Sequence, residues 1–217
     1  MGNVSWLSRS LPIMAGELPR FDLGYVPAEP RELFLRWFGE AVAAGVGEPH
    51  VMSLCTVDED ALPDVRVLVL RELDERGWHF ATDRNSEKGR QLAANPAAAL
   101  GFHWREQGRQ VRVRGRVVDL GKAAATADFL SRSPRSRLAS MIGAQSGVIA
   151  DPAAEERAWS EAGERLAADP GFVPASHAVY AVDPVSVEFW QGDPGRRHVR
   201  LRYRRSAEVW IQEQLRG

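Results

Sequence analysis

Three groups of residues have types and spacings suited to binding or transforming a ligand. The first is Thr82-Asp83-Arg84-Asn85-Ser86-Glu87-Lys88-Gly89, at the junction of an expected strand and an expected helix. A helix N-terminus presents free N–H groups and the positive end of the helix dipole, so a phosphate fits there. Ser86 can donate a hydrogen bond and Lys88 can supply charge. The plainer alternative, an ordinary N-cap serine and a surface lysine, stays open on these residues alone. The second group is Arg112-Val113-Arg114-Gly115-Arg116, with Arg105 and Arg109 upstream. Alternation puts the three arginines on one strand face. Such a face either grips phosphate or carboxylate through paired hydrogen bonds or is a solvated outer face beside acidic neighbours; the second reading is favoured. The third group runs from Glu188 to Arg200 and sets Trp190, Gln191, Arg196, Arg197, His198 and Arg200 around a Gly/Pro turn. It suits a planar anion held by stacking and charge, with His198 as the best-placed acid/base group.

These groups need a scaffold, and the pattern supplies one. Residues 1 to about 29 have scattered Pro and Gly without a period and read as a loose N-terminal arm, in which Trp6, Arg20 and Tyr25 are either parts of a lid or of a frayed end. Pro30 suits a first helical turn. Leu33, Phe34, Trp37, Phe38, Ala41 and Val42 then recur at helical spacing until Gly45 and Gly47. Strands are expected at 50–57, 65–70 and 78–82, the last after an Asp74–Gly77 turn. A short helix over 87–94 follows, capped by Ser86, and then strands at about 97–104 and 109–119. Helices are expected over 122–131, 135–142 and 152–168. Strands return at about 178–190, 198–204 and 208–213. No linker separates two cores, so residues 30–217 read as a single domain: one antiparallel, barrel-like sheet with helices packed around it.

Composition narrows the function. The 217-residue chain is 44% hydrophobic and 26% charged, as in an ordinary globular protein, and its formal net charge is -1. That charge offers no case for nucleic acid or an anionic membrane. No stretch nears the roughly 20 apolar residues of a membrane span, no signal peptide is evident, and a cytoplasmic protein is expected. The lone Cys55 lies in an apolar strand run and reads as a buried thiol. No metal spacing, nucleophile elbow, Walker loop or dinucleotide fingerprint is present.

With these groups placed, the sequence resembles the pyridoxine/pyridoxamine 5′-phosphate oxidase family. Four blocks match in order across about residues 48–204: Glu48-Pro49 through Arg66–Arg71; Thr82–Gly89 with Asn95-Pro96; Arg109–Gly115 with Arg132, Ser136 and Gln145-Ser146 after it; and Glu188–Gly192 through Arg196–Tyr203. The resemblance implies a mainly β fold with helices, the antiparallel FMN-binding split barrel, and a homodimer with FMN at the subunit interface. It implies flavin contacts from Arg66, Val67, Leu68, Val69, Thr82, Ser86, Lys88, Gln110, Gln145, Ser146, Trp190 and Arg200, with Arg66 and Lys88 facing the phosphate. It implies a substrate held by Arg71, Arg132, Ser136, Arg196 and His198, the last two nearest the chemistry. The implied oxidoreductase reaction moves a hydride from substrate C4′ to flavin N5. O2 then reoxidises the flavin to give peroxide, and an amine substrate ends as aldehyde and ammonia.

The sequence departs from the family pattern mainly on the substrate side. Glu87 replaces an arginine beside the phosphate lysine, which is expected to weaken FMN binding. Arg71 replaces lysine, and Arg197 and Val199 replace a leucine and an acid around His198. Asp128 replaces a tyrosine that helps bind the substrate phosphate, and a carboxylate there is expected to repel a dianion. Two alternatives follow. One is an FMN oxidase or reductase of another anionic, aromatic metabolite, like the phenazine-biosynthesis flavin oxidases, which the sequence also resembles. The other is a non-enzymatic flavin or vitamin B6 phosphate binder.

Overall fold

The computed structural model describes residues 14, 16–142, 145–149 and 151–217; Trp6 of the expected arm lies outside them. Five α-helices occur among the described residues: α1 (Pro30–Ala43), α2 (Glu87–Ala94), α3 (Gly121–Ser131), α4 (Pro134–Ala139) and α5 (Pro152–Ala168). The strands are β1 (Val51–Val57), β2 (Pro63–Val69), β3 (Glu72–Asp74), β4 (Gly77–Asp83), β5 (Ala97–Trp104), β6 (Arg109–Asp119), β7 (His177–Gln191), β8 (Val199–Ser206) and β9 (Val209–Leu215). Their order is β2-β1-β5-β6-β7-β4-β3, with β8 beside β7 and β9 beside β8. The chain forms two compact units.

One unit comprises the described residues of Met1–Met52, Leu100–Val113 and Val185–Gly217. Pro30 opens α1, and Leu33, Phe34, Trp37 and Ala41 are its buried stripe. Phe34 meets Phe102 edge-on at 4.9 Å, Trp37 meets Phe189 at 5.2 Å, and Phe189 meets Tyr203 at 5.8 Å. Arg109 is buried here. Its guanidinium lies 4.3 Å above Trp37 and bonds Glu40 at 2.6 Å and Gln191 at 3.0 Å. The expected loose arm is tied down in its described part: Phe21 packs edge-on against Trp37, and the Pro27 carbonyl accepts hydrogen bonds from Tyr203 Oη and Gln212, both at 2.8 Å.

The other unit comprises Ser53–Ala99 and Arg114–Pro184. β4 pairs antiparallel with β7, placing Thr82 opposite Ala178 and Asp83 opposite His177. Gly115 passes so close under the Asp183 carbonyl that any Cβ would collide with it. β2 has two distinct faces. Asp64, Arg66 and Leu68 are half-buried, whereas Val65 and Val67 stand 61% and 66% exposed. α4 stops at Ala139, three residues short of the sequence expectation: its last turn tightens, the Ser140 N–H reaching the Arg137 carbonyl at 3.1 Å and the Met141 N–H that of Leu138 at 2.9 Å.

Candidate functional site

The corner at Ser86–Lys88 is built from local signals. Ser86 takes an extended conformation and caps α2, its Oγ accepting from the Gly89 N–H at 3.2 Å and donating to the Asp83 carbonyl at 2.6 Å. Gly89 has no room for a Cβ, which would meet the Arg84 backbone. The turn is therefore locked, and it aims Lys88 inward. Lys88 is buried, and its Nζ bonds two neutral oxygens, Gln145 Oε1 at 3.0 Å and Ser86 Oγ at 3.3 Å. Burial, and then the charge of Arg66, hold its ammonium below the ordinary lysine range, against the opposing pull of Asp83, Asp64 and Glu87. A desolvated cation without a carboxylate in its hydrogen-bond shell among the described residues suits an incoming anion.

Arg66 lies on the inner face of β2 and is already engaged. It donates to Asp64, to Thr56 Oγ1 and to Gln91 Oε1 at 3.1 Å. Thr56, Asp64 and Gln91 escaped the sequence reading, although the alternation of β2 places Asp64 beside Arg66. Glu87 is exposed at the first position of α2, where an acid suits the helix dipole. Its backbone N–H donates to Ser146 Oγ at 3.4 Å, and Thr82 Oγ1 donates to Gln145 at 3.4 Å. Thr82, Gln145, Lys88 and Ser86 thus form one connected network, with Ser146 bonded beside it to the Glu87 backbone. Beside it opens a cavity of about 590 Å³ lined by Leu68, Val69, Thr82, Gln145, Ser146, Arg132, His177 and Trp159, among others. Val67 is on the opposite, solvent-facing side of β2.

Asp128 is the second centre of this unit. Its Oδ1 accepts from Arg71 Nε at 2.7 Å, and its Oδ2 from His177 Nε2 at 2.8 Å, with Arg132 Nε at 3.3 Å. Burial opposes its ionisation, but the hydrogen bonds from His177 and Arg71, with the charges of Arg71 and Arg132, hold its carboxyl below the ordinary range. The sequence marked Arg71, Asp128 and Arg132; His177, 49 residues from Asp128, carried no sequence signal. Ser136 sits apart, exposed in the first turn of α4, and accepts from Ser133 Oγ at 2.9 Å.

The remaining expected residues lie in the other unit. Trp190 and Arg200 are paired across β7 and β8. The His198 ring lies 4.9 Å from Trp190, and its Nδ1 accepts from the Asp193 N–H at 3.0 Å. Arg196 takes a positive φ of 65° and is exposed. Arg200 bonds Glu188 at 2.9 and 3.0 Å, and Arg112 pairs with the same carboxylate at 2.5 Å. Gln110, Arg112, Arg114 and Arg116 share the exposed face of β6, the solvated reading favoured from the sequence.

Comparison with known proteins shows what the chain is similar to. Residues 38–157 match the family model described as pyridoxamine 5′-phosphate oxidase, and residues 177–216 match that of the pyridoxine 5′-phosphate oxidase C-terminal dimerisation region. The chain is 41% identical over 213 residues to a pyridoxine/pyridoxamine 5′-phosphate oxidase of Pseudomonas paraeruginosa, covering 96% of this chain and 99% of that one. It is 43% identical over 187 residues to its namesake from Ralstonia pickettii, covering 86% and 88%. Among solved structures, PhzG from Burkholderia lata 383, in complex with tetrahydrophenazine-1-carboxylic acid, aligns with a TM-score of 0.87 at 30% identity, over 93% of this chain and 100% of that one. The fold is therefore the mainly β split-barrel class with surrounding helices expected from the sequence.

Proposed function

The chain belongs to the pyridoxamine 5′-phosphate oxidase family, and from that premise we propose that it is a cytoplasmic FMN-dependent oxidase of pyridoxamine or pyridoxine 5′-phosphate. Lys88 carries the flavin half of this reading: a buried ammonium, bonded to neutral oxygens, at the N-terminus of a helix. The residues present fit FMN. Ser86, Lys88 and Arg66 would hold its phosphate, and Leu68, Val69, Thr82, Gln145 and Ser146 would contact the rest, whereas Val67, on the other face of β2, is a contact by the family resemblance alone. The family resemblance adds Gln110, Trp190 and Arg200. The matched dimerisation region supports a homodimer.

Bound FMN would supply a two-electron acceptor, with O2 as the final oxidant; the protein's part is position and charge. The Asp193 N–H donates to His198 Nδ1, so the ring N–H is the one at Nε2. His198 would therefore present a donor to an anionic substrate, with Arg196 as the accompanying charge. Arg71 and Arg132 would serve the substrate's anionic end, to which the family resemblance alone adds Ser136.

One observation favours a second reading, an FMN oxidase or reductase of another anionic aromatic metabolite. Asp128 already engages Arg71 and Arg132. PhzG, the relative solved with a ring carboxylic acid, fits that alternative.

The test has two stages. Titration with FMN, followed by flavin fluorescence, should saturate; failure to bind would overturn both readings. An aerobic assay of the loaded protein with pyridoxamine 5′-phosphate, following aldehyde and peroxide, then separates them. Turnover with a KM of about 1 μM to 1 mM supports the first reading, and an FMN-loaded protein without turnover supports the second.

A further inference from the structure

Asp128 stands in the wall between two cavities of the same unit. Asp128 and Arg71 line a cavity of about 580 Å³, whereas Arg132 and His177 line the one of about 590 Å³ beside the flavin-phosphate corner. Both oxygens of the carboxylate are used, Oδ1 on Arg71 and Oδ2 on Arg132 and His177. Asp128 thus makes the contacts that an anionic substituent of a ligand would make on the same groups.

Resting on the second reading, an FMN oxidase or reductase of another anionic metabolite, we propose that Asp128 is the specificity determinant of this pocket: a resident anion that makes it select a ring substrate bearing a carboxylate or an uncharged substituent over one bearing a phosphate ester. The charges support this. Two guanidinium groups against one carboxylate leave a single positive charge to share. A monoanion balances it, whereas a phosphate ester brings nearly two negative charges at neutral pH and overshoots. The surrounding walls do not restore the balance. Arg76 is committed to Asp74 at 2.5 Å, Glu72 lines the first cavity, and Glu155 and Asp83 line the second. His79, also lining the first cavity, lies 2.8 Å from Asp74 and 3.6 Å from Glu72. Arg132 has a second fixed partner, Ser140 Oγ at 2.8 Å, so it cannot swing to a dianion without losing that bond as well. Replacing the aspartate by asparagine keeps a hydrogen-bonding side chain of the same size and leaves both guanidinium charges for a dianion.

The test compares pyridoxine with pyridoxine 5′-phosphate, which differ only in the phosphate, together with a pyridine carboxylate. Each is titrated into FMN-loaded wild-type protein and into Asp128→Asn, and binding is read from the flavin absorbance. In the wild type the phosphate ester should bind no tighter than pyridoxine and no tighter than the carboxylate. Asp128→Asn should tighten the ester by about tenfold or more (a step of about 1.4 kcal/mol) and leave pyridoxine nearly unchanged. A wild-type preference for the ester over pyridoxine or the carboxylate, or an unchanged ratio in the variant, would overturn the proposal. The wild-type ratio decides by itself if the variant does not fold. Failure of the FMN reading is seen separately, as absence of flavin saturation before any ring ligand is added.

Discussion

Replacing Lys88 by methionine separates the phosphate seat from the rest of the flavin site. Methionine keeps the length and most of the apolar stem but removes the ammonium. A phosphate charge about 4 Å from that ammonium, at an effective dielectric near 20, is worth about 4 kcal/mol. Arg66 and the α2 terminus also face the anion, and the desolvation cost of the lysine disappears with it. The net loss is therefore about 2–4 kcal/mol, or roughly 30- to 1,000-fold in FMN affinity. Riboflavin, which lacks the phosphate, should bind both proteins alike. The apo-protein should respond in the opposite direction. The folded-state pKa of Lys88 lies below its ordinary value of 10.5. The protonated lysine therefore costs the fold stability, and that cost fades as pH rises through the lowered folded value towards 10.5. Lys88→Met should then be as stable as the wild type or more so near neutral pH, and should lose this component of the alkaline rise. The assay is a fluorescence titration with FMN and riboflavin beside urea unfolding of the apo-proteins. Equal weakening of both flavins, or a destabilised apo-variant, would refute the assignment of Lys88 as an uncompensated phosphate ligand.

Three further outcomes can be checked by unfolding and flavin titration. The carboxyl of Asp128 is held below its ordinary value of 3.8, so its contribution to stability is present above that value and is lost as pH falls through the lower folded one; Asp128→Asn should remove that step from the acid limb and cost about 1–3 kcal/mol at pH 7. Gly89→Ala forces the Arg84 backbone away from α2, and a loss of FMN affinity of at least about tenfold should accompany about 1–3 kcal/mol of destabilisation. Arg109→Met breaks the buried contacts to Glu40, Gln191 and Trp37; it should cost about 2–4 kcal/mol in unfolding, while an unchanged stability would show that the apolar replacement compensates fully.

Legibility in the sequence followed the range of the interactions. α2, β5 and β6 have the bounds expected from local patterns, because a cap, an Asn-Pro stop and strict alternation are written within a few residues. The Ser86–Lys88 corner was visible for the same reason. What pairs with Arg66 and Asp128 was not, since Gln91 lies 25 residues from the first and His177 lies 49 from the second, and only the folded chain brings them together. The expected repulsion by Asp128 therefore looks different in three dimensions: its charge is satisfied internally before any ligand arrives. The arm misled in the other direction. Its Pro and Gly content suggested looseness, yet a single backbone carbonyl, that of Pro27, collects two distant side-chain donors.

The valines on the outer face of β2 bear on how the protein behaves in solution. Val65 and Val67 stand in water in the single chain while the other face of the same strand holds the Arg66 network. If a homodimer covers that face, folding and association become one equilibrium. The melting temperature would then depend on protein concentration, and dilution alone would lower it. Handling at low concentration would loosen the strand that carries Arg66, so flavin retention would fall on dilution even without any change in pH, salt or sequence.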